Sequence, residues 1–422
     1  MTIKISGNLR VDVEIPLLNC EYLEINWKPG EHASLRMEGY LKPEAAWNMA
    51  RIYGSDIKVW LEEDSREQVL FHGILSDVNE KTVTGTKKVY IKGVSASILQ
   101  DQKKYSRSFQ DTEKSFYDII KEVAESGDGQ VICTADKEKR PEKPMIQHQE
   151  TNWEYSGRLA SHLGVMLVPD IETGEPNFWI GMRKGEKIPT FSEAWYVMES
   201  DTEEIRYLVK STESYRLGDC TTFLEQELII YEKQIWYQRG ELQYYYLLGN
   251  KLHHNVPVRY QKEFTGLSLE GTVRGVKEEY LSLQLDIDQG ADTGEYFYDW
   301  LPETGNALYA MPESGAPVSL YFISENEQEA IAIHCLHRTP TNAYKETYYK
   351  TRTMDVLGDQ SIEISDASVN LSKGDEHNLS MSDELIFSET LKVLKINADG
   401  EVKLKAKTLT IRTKDAIKIW QE

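Results

Sequence analysis

Cysteine is scarce in this chain: Cys20, Cys133, Cys220 and Cys335 are the only four in 422 residues. They lie far apart, with neither the paired spacing of a zinc ribbon nor the density of a disulfide framework, so a reducing site of synthesis is expected. Positive charge is also short. Lys and Arg number 48 against 69 Asp and Glu, a formal net charge of −21. That balance argues against a nucleic-acid partner, which needs cationic clusters over phosphates, and against adhesion to an anionic membrane. Long apolar runs are missing too. No stretch reaches the roughly 18 apolar residues needed to span a bilayer. The opening MTIKISGNLRVDVEIPLL is broken by Asp12 and Glu14, so no signal peptide is expected. The chain is expected to be cytoplasmic on synthesis and to leave the cell, if it does, by another route. Catalytic signatures are absent as well: there is no G-x-S-x-G, H-E-x-x-H, P-loop or G-x-G-x-x-G.

What is present favours strands. Hydrophobic residues make up 40%, and Tyr alone contributes 24; aromatic and β-branched side chains suit pleated, half-buried surfaces. The length implies two to four domains. DIKVWLEE, QVLFHGILSDV and KKVYIKGVSASIL predict a first β-barrel or sandwich over 1–104, with KPEAAWNMARIYG as a short closing helix. Residues 105–165 read as a helical connector. In it, Phe116, Ile119, Ile120 and Val123 share a face, Thr112 is the expected N-cap and Gly127 lies past the end. Strands return over 166–255, and five or so short strands with Gly and Pro turns over 256–345 suit an OB-like barrel.

The tail, 346–422, alternates almost strictly. Leu394, Ile396, Ala398, Val402, Leu404, Ala406, Leu409, Ile411, Ile417 and Ile419 are apolar, with Lys, Asp and Glu at many positions between. Stripes this thin bury little within one chain. Identical chains supplying the missing faces, as in an intertwined β-prism, make a homo-oligomer the natural inference.

The segment QHQETNWEYSGRLASHLGV, 147–165, predicts a helix with a Thr151/Glu154 capping box and a stop at Gly164. Glu154, Arg158 and His162 are chemically capable, but no nucleophile accompanies them. Arg158 stands four residues after Glu154, the favourable order for a helix ion pair. Trp153 is expected to anchor the helix to a barrel. His334, Cys335 and His337 are the most metal-like group; Cys335 and His337 would share a strand face, but a zinc site needs three or four converging ligands, so ordinary packing is expected. Asp286 and Asp288 would also share a strand face as a carboxylate pair, although the run into Gly290 is equally good turn chemistry, which is preferred. The adjacent His253 and His254 mark a domain junction. No catalytic, cofactor-binding or metal residue is therefore assigned, no cofactor is expected, and the chain is not expected to be an enzyme.

The order of FHGILSDV (71–78), KKVYIKGVSASILQDQKKYSRSFQDTEKSFYDIIKEV (87–123) and ETNWEYSGRLASHLG (150–164) resembles the VgrG spike family. The matching positions of the last block are Glu150, Thr151, Asn152, Trp153, Tyr155, Arg158, Leu159 and Gly164. The resemblance implies a mainly β fold with a small helical interlude: hub-type β-barrel domains, an OB-fold, and a C-terminal intertwined triple-stranded β-helix or prism over 346–422. It also implies a homotrimer that caps an inner tube, meets baseplate components and is driven through a target envelope when a sheath contracts. A PAAR-type tip protein or effectors at the C-terminal end are implied partners, with delivery outside or into a target cell. The OB region reads LSLQLDI where many type VI members have a GRV strand. Type VI, extracellular injection and phage tail-like systems therefore all remain open. Only about ten residues, TNAYKETYYK, separate the OB-like region from the tail, too few for the lysozyme that some phage needles carry there. Two other classes stand beside this one. The Tyr and Trp abundance would suit a surface carbohydrate-binding tail or adhesin, and an unrecognised carboxylate pair would suit a cell-wall hydrolase.

Overall fold

The computed structural model describes residues 2–43, 47, 52–63, 66–200, 205–250, 256–302, 310–335, 352–356, 360–391 and 393–418. The chain is mainly β and divides into two compact units, Met1–Leu336 and His337–Glu422. The closing helix expected around 42–54 lies largely outside the described residues.

A twelve-stranded antiparallel sheet dominates the first unit. Its path runs Thr2–Ser6, Leu9–Val13, Asp56–Glu63, Arg66–Val83, Thr86–Ser95, Ser34–Leu41 and Leu17–Trp27. It continues through Gln226–Gln238, Glu241–Gly249, Ile205–Ser211 and Tyr196–Ser200, with Cys220–Phe223 branching from Gln226–Gln238. The hairpin at Thr84 and Gly85 turns on two positive φ angles, 48° and 80°, as a two-residue loop of right-handed strands requires. The seam between early and late strands pairs Leu17–Trp27 with Gln226–Gln238, from Tyr22↔Gln238 to Trp27↔Lys233. Thus the two β-rich regions share one sheet. Its inner face holds Leu23, Ile25, Ile235, Tyr237, Tyr244 and Tyr246, all buried, while Glu24, Trp236 and Tyr245 between them are more exposed. Ile25 and Ile235 face each other in register at 0% and 1% exposure, each contributing about 2 kcal/mol of burial.

Residues 104–165 mix strands with helices. Lys104–Phe109 pairs antiparallel with Met145–Thr151, and Val131–Cys133 joins Phe178–Ile180 in a three-stranded sheet with Leu167–Pro169. Between them sit α1 (Phe116–Glu125) and α2 (Asn152–His162). The apolar face of α1 is the expected one, with Phe116, Ile119, Ile120 and Val123 buried, but its cap is Ser115 rather than Thr112. Ser115 forms a full capping box with Asp118, whereas Thr112 lies a turn too early to reach the first free N–H groups.

The remaining part of the first unit is a five-stranded sheet, ordered Phe297–Asp299, Tyr280–Leu285, Ser268–Lys277, Pro317–Tyr321 and Ile331–Ile333. Val273, Leu283, Val318, Leu320, Phe264 and Phe322 fill its core. The second unit is an antiparallel meander of Arg352–Val356, Gln360–Ile364, Ser368–Lys373, His377–Ser382 and Ile386–Thr390. The described residues from 393 to 418 carry no strand or helix. Among the described residues, no helix is long and apolar enough to cross a membrane.

Candidate functional site

The helix α2 and its approach are built as the sequence implies. Thr151 Oγ1 accepts from the Glu154 N–H at 3.1 Å, and Glu154 Oε2 accepts from the Thr151 N–H at 2.9 Å. The far end closes through Gly164, whose φ of +72° favours glycine, while Gly164 and Val165 donate back to Ser161 and Ala160. Trp153 is 8% exposed and packs against the His32 ring at 4.3 Å and the Phe178 ring at 5.5 Å. It anchors the helix to the strand Phe178–Ile180 and to the loop before Ser34–Leu41, where a barrel was expected.

Arg158 departs from expectation. Glu154 is occupied by the cap, and Arg158 turns inward. Its Nε and Nη2 donate to the two oxygens of Glu150 at 2.9 and 2.8 Å, Nη2 also reaches the Ile146 carbonyl at 2.8 Å, and Nη1 donates to Glu327 at 2.5 Å. Both carboxylates are buried, at 5% and 3% exposure. Burial works against the guanidinium charge, but Glu327 and Glu150 outweigh it and hold its pKa above the ordinary value. A bidentate fork satisfied on almost every donor binds elements together. Here it joins α2, the strand Met145–Thr151 and the turn Glu327–Glu329, which belongs to the five-stranded region.

Each remaining residue of the block has a packing role. Asn152 accepts from Arg107 at 2.9 Å and donates to Ser126 and Gln100 at 3.2 and 3.3 Å, tying α2 to the end of α1. Tyr155, fully buried, stacks on Phe109 at 5.8 Å and lies 5.0 Å from the Arg158 guanidinium, and burial raises its phenol pKa. His162 stacks on Phe116 at 5.1 Å and meets Tyr260 edge-on at 6.0 Å, and burial lowers its pKa.

The other candidate groups are dispersed. Asp286 and Asp288 lie in a 3-10 turn that follows the end of the strand at Leu285, not on a shared strand face, and Gln289 and Gly290 close the turn with positive φ. Asp288 points inward and accepts from the Ser108 N–H at 2.6 Å and its hydroxyl at 2.7 Å, a second tie to the strand Lys104–Phe109. Burial raises its pKa against those hydrogen bonds. The strand expected to display Cys335 ends at Ile333; His334 has a φ of 53° and Cys335 is exposed. His337, His253 and His254 lie outside the described residues. Among the described residues, no group of three or more His, Cys, Asp or Glu converges on a metal position.

The second unit presents a different kind of surface. Met354, Ile362, Leu371 and Leu379 align across four strands, at the floor of a groove of about 470 Å³ bordered by Val393 and Leu394. Farther on, Val393, Leu394, Ile396, Leu404 and Leu409 are 62–77% exposed. Lys395, Lys403 and Lys405 alternate with them. The apolar residues read in the sequence are exposed, but 393–418 forms no strand, so the expected strands with one apolar and one charged side are not formed there, and no described residue of the same unit buries these side chains.

No protein-family model matches the chain, and no curated protein matches it. Solved structures do. The E. coli c3393 protein, described as a type VI secretion component with structural similarity to the T4 bacteriophage tail proteins gp27 and gp5, aligns over 77% of this chain and 99% of its own. Its TM-score is 0.56 at 11% identity. The half-lidded Francisella PdpA–VgrG complex aligns over 88% of this chain and 83% of its own, with TM-score 0.53 at 10% identity. A lidless PdpA–VgrG complex gives the same score and identity, over 94% of its own chain. The likeness is one of architecture: the chain shares the mainly β fold of the c3393 protein and the PdpA–VgrG complexes.

Proposed function

We propose that this chain is the trimeric central spike of a contractile injection machine. It caps an inner tube, meets baseplate components and is driven through a target envelope, acting mechanically and without catalysis. Made in the cytoplasm, it is delivered with the apparatus, carrying effectors or a PAAR-type tip protein at its C-terminal end.

The observation that carries this reading is the tail. A run of exposed apolar residues, Val393, Leu394, Ile396, Leu404 and Leu409, loses about 1.5–3 kcal/mol per side chain by staying in water. Copies of the same chain bury such a stripe without any new sequence, and the interleaved lysines stay outward, where they guard open strand edges. The fold shared with the c3393 protein and the PdpA–VgrG complexes supports the same role. The block 150–164 supports a rigid role as well, since every residue matched there is spent on capping, packing or buried ion pairing.

Native mass spectrometry of the full chain tests the proposal. A species of three times 48.6 kDa is expected, and a stable 48.6 kDa monomer at micromolar concentration contradicts it.

A further inference from the structure

We propose that the outer face of the twelve-stranded sheet binds a single neutral glycan chain along a row of aromatic rings. Four rings make the row. Tyr22 and Trp236 lie 6.5 Å apart between centroids, Trp236 and Tyr245 5.6 Å, and Tyr245 and Trp195 5.8 Å. They come from Leu17–Trp27, Gln226–Gln238, Glu241–Gly249 and the residue just before Tyr196–Ser200, so the row crosses the sheet along its hydrogen-bonding direction. Trp195 is 45% and Trp236 39% exposed. The hydrophobic core does not require them, since the buried side of these strands is already filled by Ile235, Tyr237, Tyr244 and Tyr246.

Pairing register places a polar group beside three of the four rings. Trp236 stands between Glu24 and Gln243, Tyr245 between Gln234 and Lys210, and Tyr22 opposite Gln238. Several of these groups are held in place by their neighbours. Glu24 accepts from Tyr22 at 2.8 Å and from Asn26 at 2.9 Å, and Gln243 accepts from the Tyr245 hydroxyl at 3.2 Å. Alternating rings and amides match the two faces of a pyranose: apolar C–H faces lie on aromatic rings, and hydroxyls need both donors and acceptors.

Charge identifies the occupant further. In a chain of net charge −21, this patch is locally balanced, with Glu24 paired in register to Arg36 and Glu241 lying on the same face as Lys210. A polyanion or a strongly basic segment finds no matching field there, whereas an uncharged sugar does. The rings are inclined to one another by 58° to 75°. A flat crystalline polysaccharide surface needs coplanar rings, so a single twisting chain fits instead. The inference is independent of the spike reading, because it rests on the sheet alone and not on the tail.

The experiment titrates the full-length protein with chitohexaose and with cellohexaose, following tryptophan fluorescence and calorimetric heat. Binding of at least one oligosaccharide is expected, weakened about tenfold or more by Trp236→Ala and by Trp195→Ala. Tyr280→Ala, an equally exposed ring on another sheet, is expected to bind as the unaltered chain does. Circular dichroism of each variant reports whether it is folded, and Trp236→Phe, which keeps a ring, is expected to retain most of the affinity. The absence of binding to either sugar at millimolar concentration overturns the proposal. Unchanged affinity in folded Trp236→Ala and Trp195→Ala also overturns it. A change in oligomeric mass in Trp236→Ala, with no sugar bound by the unaltered chain, assigns the face to contact between copies and overturns it too.

Discussion

Arg158 and Glu327 stand 169 positions apart in sequence and meet as a buried ion pair, with side-chain exposures of 4% and 0%. Glu150 completes the cluster from the strand that feeds α2. Charges withdrawn from water to this extent hold only while all members are present. The cluster therefore fixes how the helical region is joined to the five-stranded region.

Removing the cation alone is the severe change. Arg158→Ala leaves Glu150 and Glu327 facing each other without water, and a loss of about 3–5 kcal/mol is expected in urea unfolding of the first unit. Arg158→Lys is not a conservative replacement, because an ammonium cannot keep the two-point contact with Glu150. Glu327→Gln keeps shape and a hydrogen-bond acceptor and is expected to cost less than Arg158→Ala. Equal stability of Arg158→Ala and the unaltered chain would contradict a cementing role.

Thr151→Ala tests the cap. It removes the acceptor for the Glu154 N–H and also the hydroxyl that donates to Asp101 at 2.5 Å. A loss of about 1 kcal/mol is expected from the cap alone, and Thr151→Ser should recover most of it. Chemical denaturation of the pair of variants measures the difference.

Lys233 gives the sheet a pH signature. Its ammonium is buried at the seam, donating to Ser214 Oγ at 2.9 Å and the Tyr215 carbonyl at 2.7 Å, 5.3 Å from the Tyr244 ring. Burial lowers its pKa to about 7; Glu172 and Asp219 oppose the shift, and Arg216 adds to it. The unfolded chain holds this proton up to the ordinary lysine range, so it binds more protons than the folded chain above pH 7. Stability then rises with pH, by at most about 1.4 kcal/mol per pH unit. The rise should be visible between pH 7 and about 8.5, before cysteine and tyrosine ionise. In Lys233→Met the slope over that window should be lost, and a slope unchanged in the variant would contradict the assignment.

Local features were legible because their causes are local. The capping box at Thr151, the stop at Gly164 and the apolar face of α1 follow from spacing within a few residues. The tail's alternation was equally plain, since it is a property of consecutive residues, but the strands it predicts are not formed over 393–418 in a single chain. The partners of Arg158 were not. Glu154, four positions away, was the obvious candidate, yet the cap claims it and the true partners come from a neighbouring strand and a distant turn. Asp288 shows the same limit: as one of a repeated Asp pair it resembled a site, while its role is to receive Ser108 from 180 positions away. The seam joining Ile25 to Ile235 belongs to this class as well, because strand pairing between distant segments leaves no local signature.

The central claim is that copies of this chain complete the tail, and amide hydrogen exchange over residues 393–418 of the purified full-length protein tests it most directly. Those residues carry no strand or helix in a single chain and are broadly exposed. Assembly into an intertwined spike predicts slow exchange throughout that stretch, with protection that disappears together with the oligomer on dilution or in denaturant. Exchange at the rate of an unstructured peptide at every concentration would contradict it.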